Sequence, residues 1–279
     1  MIFGKNKDRC VMSYKVVVLD IDGTLVNSQK QITKKTLDVL TKIRNEGKTV
    51  VIASGRPPQG VMPYAKKLGF DKTGGYILSF NGGRITQVKT GETIYNRCFP
   101  NEYLPEICEI IKDYRVTINT YENDTIVTSG NLNNYSSVEA DIIGLETNFV
   151  DDFAAYVNFE VNKCLLSGEP EDILKLEELL KKKYEGRLDV YRSEEFFLEL
   201  VPLGVDKAQS IDFLLKTLGC KREECMACGD GYNDLTMIEY AGLGVAMENA
   251  NDEVKAAADF VTLSNDNDGV AYAVEKFVI

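Results

Sequence analysis

The 279-residue chain contains no His and no Trp, and only 7 Pro and 7 Cys. Without His, Ser-His-Asp and Cys-His catalysis, His-ligated zinc and a histidine general base are all excluded. Seven Cys is an odd count and far too sparse for a secreted disulfide scaffold, so a reduced, cytoplasmic protein is expected. No apolar run approaches a membrane span, and residues 1–14 (MIFGKNKDRCVMSY) hold no stretch suited to a signal peptide. That segment is polar and matches no core strand, and Met12 within it is a second candidate start. Cations are scarce too: 32 Lys and Arg stand against 43 Asp and Glu, a net charge of −11. Such a field repels phosphate backbones and acidic membranes. Nucleic acid and membrane are therefore not expected partners, and an anionic substrate needs a local cluster of cations or a metal.

What is present describes a folded α/β protein. Apolar residues make up 44% and charged residues 27%, enough for a packed core and a solvated surface. Lys15–Asp20 (KVVVLD), Thr49–Ala53 (TVVIA) and Tyr76–Phe80 (YILSF) read as strands buried on both faces. Helical spacing separates them: Leu37, Leu40 and Ile43 after a Thr33 cap, then Met62, Ala65 and Leu68 after Pro57-Pro58. The alternation returns near the C-terminus. There Lys207–Leu218, Leu235–Tyr240, Asn251–Ala258 and the stretch after Asp268 read as helices, and Cys225–Cys228, Gly244–Met247 and Phe260–Leu263 as strands. The expectation is a doubly wound, Rossmann-like parallel sheet. Residues from about 84 to 198 differ: alternating runs (Val116–Tyr121, Thr125–Thr128) and an amphipathic helix, Glu171–Tyr184, suggest an inserted α+β module. Crossings near Gly82-Gly83 and Pro202–Gly204 are natural hinges.

In open parallel sheets ligands bind beyond the carboxyl ends of the strands. Three such ends carry polar signatures: Asp20-Ile21-Asp22-Gly23-Thr24-Leu25, Ser54-Gly55-Arg56, and Gly229-Asp230-Gly231-Tyr232-Asn233-Asp234. Each alone is most simply a turn, or a helix start with Asn233 as cap. Together they would gather Asp20, Asp22, Asp230 and Asp234 at one sheet edge, a repulsive group without a cation within it. Oxygen ligands with neither His nor thiolate suit magnesium best.

The set resembles the haloacid dehalogenase superfamily, and its spacing resembles the Cof-type (IIB) sugar-phosphatase branch, from Lys15 to nearly the end of the chain. Asp20 and Asp22 match the first motif, Ser54 the second, Lys207 the third and Asp230–Asp234 the fourth. Only Ile21–Ile32 separates the first strand from the first helix, so a cap domain must follow the third strand. The resemblance thus implies a catalytic core of residues 1–84 and 199–279, with an inserted cap of residues 85–198. It implies a magnesium-dependent phosphatase of small phosphorylated metabolites, most plausibly sugar phosphates. Asp20 is the nucleophile and Asp22 the acid and base. Ser54, Gly55, Asn233 and Lys207 hold the phosphoryl group. Asp20, the backbone carbonyl of Asp22 and Asp230 hold Mg²⁺, while Asp234 stands behind these ligands and orients water. Thr24 fixes the loop. The third motif departs from its usual Gly-Val-Ser-Lys-Gly: Gly204-Val205-Asp206-Lys207-Ala208 puts a carboxylate beside the lysine, although Asp caps a helix as well as Ser. A phosphosugar mutase and a non-catalytic phosphometabolite sensor are the rival readings.

Other features read as structural. Cys225 and Cys228 sit on a buried strand with no further Cys pair or His to complete a zinc site. Lys181–Lys183 end a helix, where cations suit its dipole. Asn119, Tyr121, Asn123, Asn131, Asn133, Asn134 and Tyr135 fit either turn and edge positions or contacts to a sugar.

Overall fold

A computed structural model describes residues Tyr14–Ile279, so the readings made for the first 13 residues lie outside it. Fourteen strands follow in chain order. They are β1 (Val16–Leu19), β2 (Thr49–Ala53), β3 (Tyr76–Ser79), β4 (Arg84–Gln87), β5 (Glu92–Asn96), β6 (Val116–Glu122) and β7 (Thr125–Gly130). β8 (Glu146–Phe149), β9 (Cys164–Gly168), β10 (Leu188–Glu194), β11 (Phe197–Pro202), β12 (Cys225–Gly229), β13 (Leu243–Ala246) and β14 (Phe260–Val261) complete the set. The residues divide into two compact units. Unit 1 comprises residues up to Ala53, Leu68–Tyr76 and Ile211–Ile279; unit 2 comprises Ser54–Lys67 and Ile77–Ser210.

Unit 1 is the expected parallel sheet, ordered β14-β13-β12-β1-β2. Its central strands are aliphatic runs without alternation, VVVL and TVVIA, because helices cover both faces. The helix Lys34–Asn45 starts where Thr33 accepts a hydrogen bond from the Thr36 N–H, and it buries Val39, Leu40 and Ile43. β1 pairs with β2 on one side and with β12 on the other, so the strand order reverses at β1. Ligand sites of this fold form at such a reversal. The expected strand Phe260–Leu263 shrinks to two residues at the sheet's edge, and Gly244–Met247 shifts by one to Leu243–Ala246.

Unit 2 contains the antiparallel pair β4–β5 and a six-stranded sheet ordered β10-β11-β9-β6-β7-β8. One face of that sheet packs Ile118, Val127, Leu166, Leu198 and Leu200 into an apolar cluster with Leu104, Ile107, Leu176 and Leu180, from the helices Leu104–Ile111 and Pro170–Lys183. The α+β character expected of this stretch follows from that layering.

Candidate active site

The acidic residues converge because β1 and β12 are parallel neighbours in register, with Leu19 opposite Cys228. Strands lie about 4.8 Å apart, so the residues just beyond their ends are brought together. The Asp20 N–H donates to the Cys228 carbonyl at 3.1 Å, locking that junction. Carboxylate oxygens of Asp20, Asp230 and Asp234 all lie within 4.8 Å of one another. Asp20 and Asp234 are buried and Asp230 is half-buried.

Backbone constraints aim these groups. Gly23 turns the chain after β1 in the left-handed region, φ +74°, and a Cβ there would stand 2.1 Å from Asp230 Oδ2. Only glycine permits so close an approach at that φ. The Thr24 hydroxyl donates to Asp230 Oδ1 at 2.7 Å, the loop-fixing role expected of it. Asp234 Oδ2 accepts the N–H groups of Asp230 and Gly231, both at 2.9 Å, and so braces the turn that carries Asp230. Asp234, and not Asn233, is therefore the side chain that caps this turn; Asn233 lies in the short helical turn Tyr232–Asp234.

The Asp22 carboxylate does not join the three. It pairs with Lys30 Nζ at 2.7 Å, and both side chains are substantially exposed. The expected group of four is thus a group of three: Asp22 lies two residues beyond Asp20, just before the turn at Gly23, and its carboxylate goes to Lys30. Nothing in the spacing marks Lys30. The turn Asn27–Gln31, with Lys30 itself at φ +57°, carries it there.

The phosphate-motif residues of unit 2 have their own frame. Ser54 is buried; its N–H donates to the Leu78 carbonyl at 2.8 Å and its carbonyl accepts from the Asn81 N–H at 3.0 Å. A Cβ on Gly55 would stand 3.1 Å from Asn81 Oδ1. The turn after β3 holds two non-glycine residues in the left-handed region, Phe80 at φ +55° and Asn81 at +53°. Such strain costs about 1–3 kcal/mol per residue and collects at functional positions. Lys207 is fully buried at the start of the helix Lys207–Thr217. Both oxygens of the neighbouring Asp206 are engaged by Gln209, through its N–H at 2.8 Å and its Nε2 at 3.1 Å. The carboxylate that replaces Ser is therefore a helix cap.

The profile of the haloacid dehalogenase-like hydrolases matches residues 17–274. The chain belongs to this family. A haloacid dehalogenase-like hydrolase from Bacteroides thetaiotaomicron is 44% identical, with a TM-score of 0.90 over 95% of this chain and 99% of that one. The subclass IIB sugar phosphatase BT4131 is 27% identical, with a TM-score of 0.80 over 95% and 100%. Phosphatase YwpJ of Bacillus subtilis is 30% identical across 95% of this chain and 100% of its own.

Three carboxylate oxygens within 4.8 Å are close enough to share one octahedral Mg²⁺, whose ligand oxygens stand about 3–4 Å apart. A buried anionic group of this kind is favourable only with a cation to offset it, so the hydrolase's donor set fits a hard divalent ion. The Cys pair does not compete for metal. Burial pushes the Cys225 thiol up to about 12 and Cys228 higher still. Asn131 and Asn133 tie their amides to backbone carbonyls, Asn131 to Lys112 and Tyr114, Asn133 to Arg115, Asn131 and Ser167. Tyr121 donates to Glu139 inside unit 2. The amide bonds fit the turn reading for Asn131 and Asn133, whereas Tyr121 is buried on β6, an inner strand of the sheet and not an edge.

Proposed function

We propose that this hydrolase is a magnesium-dependent phosphatase of small phosphorylated metabolites, with sugar phosphates as the substrate class and an aspartyl-phosphate on Asp20. The observation that carries the reading is the convergence of Asp20, Asp230 and Asp234 beside the Gly23 turn. In it, Asp20, the Asp22 carbonyl and Asp230 hold Mg²⁺, which when bound neutralises charge on the phosphoryl oxygens. Asp234 braces the Asp230 turn, a task its two backbone hydrogen bonds suit.

The chain's own residues then do the following. An Asp20 carboxylate oxygen forms a bond to phosphorus while the bond from phosphorus to the ester oxygen breaks, and Asp22 gives its proton to the departing alkoxide. Asp22, now a carboxylate, takes a proton from water as that water attacks phosphorus, which releases inorganic phosphate and regenerates Asp20. The ion pair with Lys30 describes Asp22 with its carboxylate engaged, and protonation for the first step breaks that pair. Ser54, the Gly55 N–H, Asn233 and Lys207 hold the phosphoryl oxygens. Residues 85–198 form the cap that chooses the leaving group, and residues 1–84 with 199–279 form the core. No helix among the described residues is long and apolar enough to cross a membrane. With a net charge of −11 and no disulfide among the described cysteines, this supports a cytoplasmic enzyme without nucleic-acid partners.

Release of inorganic phosphate from p-nitrophenyl phosphate with Mg²⁺ tests the reading. Wild type is expected to turn over and Asp20→Asn to lose all turnover with an unchanged far-UV spectrum. A near-normal rate in Asp20→Asn would remove the covalent step.

A further inference from the structure

The six-stranded sheet of unit 2 has a second face, and its chemistry is polar. Register across β6-β9-β11-β10 sets Asn119, Leu165, Glu199 and Tyr191 side by side on it. Glu199 meets Lys163 Nζ at 2.9 Å, with both side chains at least nine-tenths buried. A buried ion pair is seldom more stable than apolar residues of the same size, so stability alone does not account for it. Ser193 lies where the β10–β11 register slips between Arg192 and Glu194, and its hydroxyl donates to Glu199 Oε1 at 3.1 Å. Bulges of this sort re-aim side chains near functional sites. Two residues back, the Tyr191 hydroxyl accepts from Asn81 Nδ2 at 3.3 Å. Asn81 is the strained turn residue that also abuts Gly55. A continuous run of contacts within unit 2 thus joins the Ser54-Gly55 motif to Asn81, and Asn81 to Tyr191, whose cross-strand neighbour Glu199 holds Ser193.

We propose that the hydroxyls of Tyr191 and Ser193 bind the leaving group and select an uncharged, polyhydroxylated alcohol, with Glu199, Lys163 and Asn81 as positioning residues. The assignment rests on the phosphatase reading. The two hydroxyls are complementary: Tyr191 accepts from Asn81 and has its proton to donate, while Ser193 donates to Glu199 and has lone pairs to accept. Burial and the nearby Glu199 push the Tyr191 phenol up to about 12, so it is a donor throughout the neutral range. A second anion on the leaving group finds no welcome here. Lys163 is already matched by Glu199, and Arg192 is matched by Glu177 at 2.6 Å.

The test compares kcat/KM for sorbitol 6-phosphate, fructose 1,6-bisphosphate and p-nitrophenyl phosphate in wild type, Tyr191→Phe and Ser193→Ala. Wild type is expected to favour sorbitol 6-phosphate over the bisphosphate. In each variant the ratio of sorbitol 6-phosphate to p-nitrophenyl phosphate should fall about three- to tenfold, the loss of one neutral hydrogen bond. Glu199→Gln should lower the same ratio, and should add nothing in the Ser193→Ala background if it acts through Ser193. Ratios within twofold of wild type in both single hydroxyl variants overturn the proposal, as does a wild-type preference for the bisphosphate. A wild type that hydrolyses p-nitrophenyl phosphate while these ratios stay flat leaves the phosphatase reading standing. One that hydrolyses none of the three overturns both.

Discussion

Replacing Gly23 by Ala perturbs the acidic cluster through a single methyl group. The residue sits at φ +74°, where an L side chain costs about 1–2 kcal/mol. The added Cβ would stand 2.1 Å from Asp230 Oδ2, against the 3.4 Å of ordinary contact, so the carboxylate must retreat by about 3.4 − 2.1 = 1.3 Å. That movement also breaks the Thr24–Asp230 hydrogen bond. A displacement near 1 Å in a reacting site costs on the order of 10²-fold in rate. Gly47 supplies the control: it too is left-handed, at φ +86°, yet a Cβ there meets nothing within 4 Å. Urea denaturation should show Gly47→Ala less stable by about 1–2 kcal/mol, and Gly23→Ala by about 1 kcal/mol more for the lost hydrogen bond. Steady-state phosphate release should fall about 10²-fold in Gly23→Ala alone. Turnover in Gly23→Ala within threefold of Gly47→Ala would refute the link between this turn and the chemistry.

Three further outcomes follow from particular contacts. Lys163→Met leaves Glu199 buried without its partner and should destabilise the fold by about 3–5 kcal/mol in urea melts, whereas adding Glu199→Leu should restore much of the loss. Asp206→Ala removes the cap on Gln209 and should cost about 1 kcal/mol, while Asp206→Ser should be within about 0.5 kcal/mol of wild type; equal losses would deny the capping role. With its pKa raised to about 12, Cys225 holds only about 10⁻⁴ thiolate at pH 8, and its reactivity should rise roughly tenfold per pH unit below 12. Iodoacetamide labelling read by mass spectrometry should therefore modify half-exposed Cys220 well before Cys225; equal rates would contradict the burial.

Much of unit 1 was legible because each of its elements is specified locally. Aliphatic runs such as VVVL and TVVIA are strands buried on both faces in any context that covers them, and Thr33 caps its helix with its own hydroxyl. The identity of the acidic residues was likewise readable, since strand ends of a parallel sheet share one edge. Side-chain direction was not readable. Asp22 turns to Lys30 and Asp234 turns to the backbone of its own loop, because a turn geometry and a cap decide where each carboxylate points. The polar face of the six-stranded sheet was hidden for a related reason. Tyr191 and Glu199 face each other across the β10–β11 hairpin, but Lys163, just before β9, is far from both along the chain, and only the pairing of β9 with β11 brings it to them. Composition and local pattern thus determined the fold class, the lack of histidine chemistry and the acidic residues. Tertiary structure alone decided which of those acids share a site and which polar groups line the sheet, because strand register and turn conformation are properties of the packed chain.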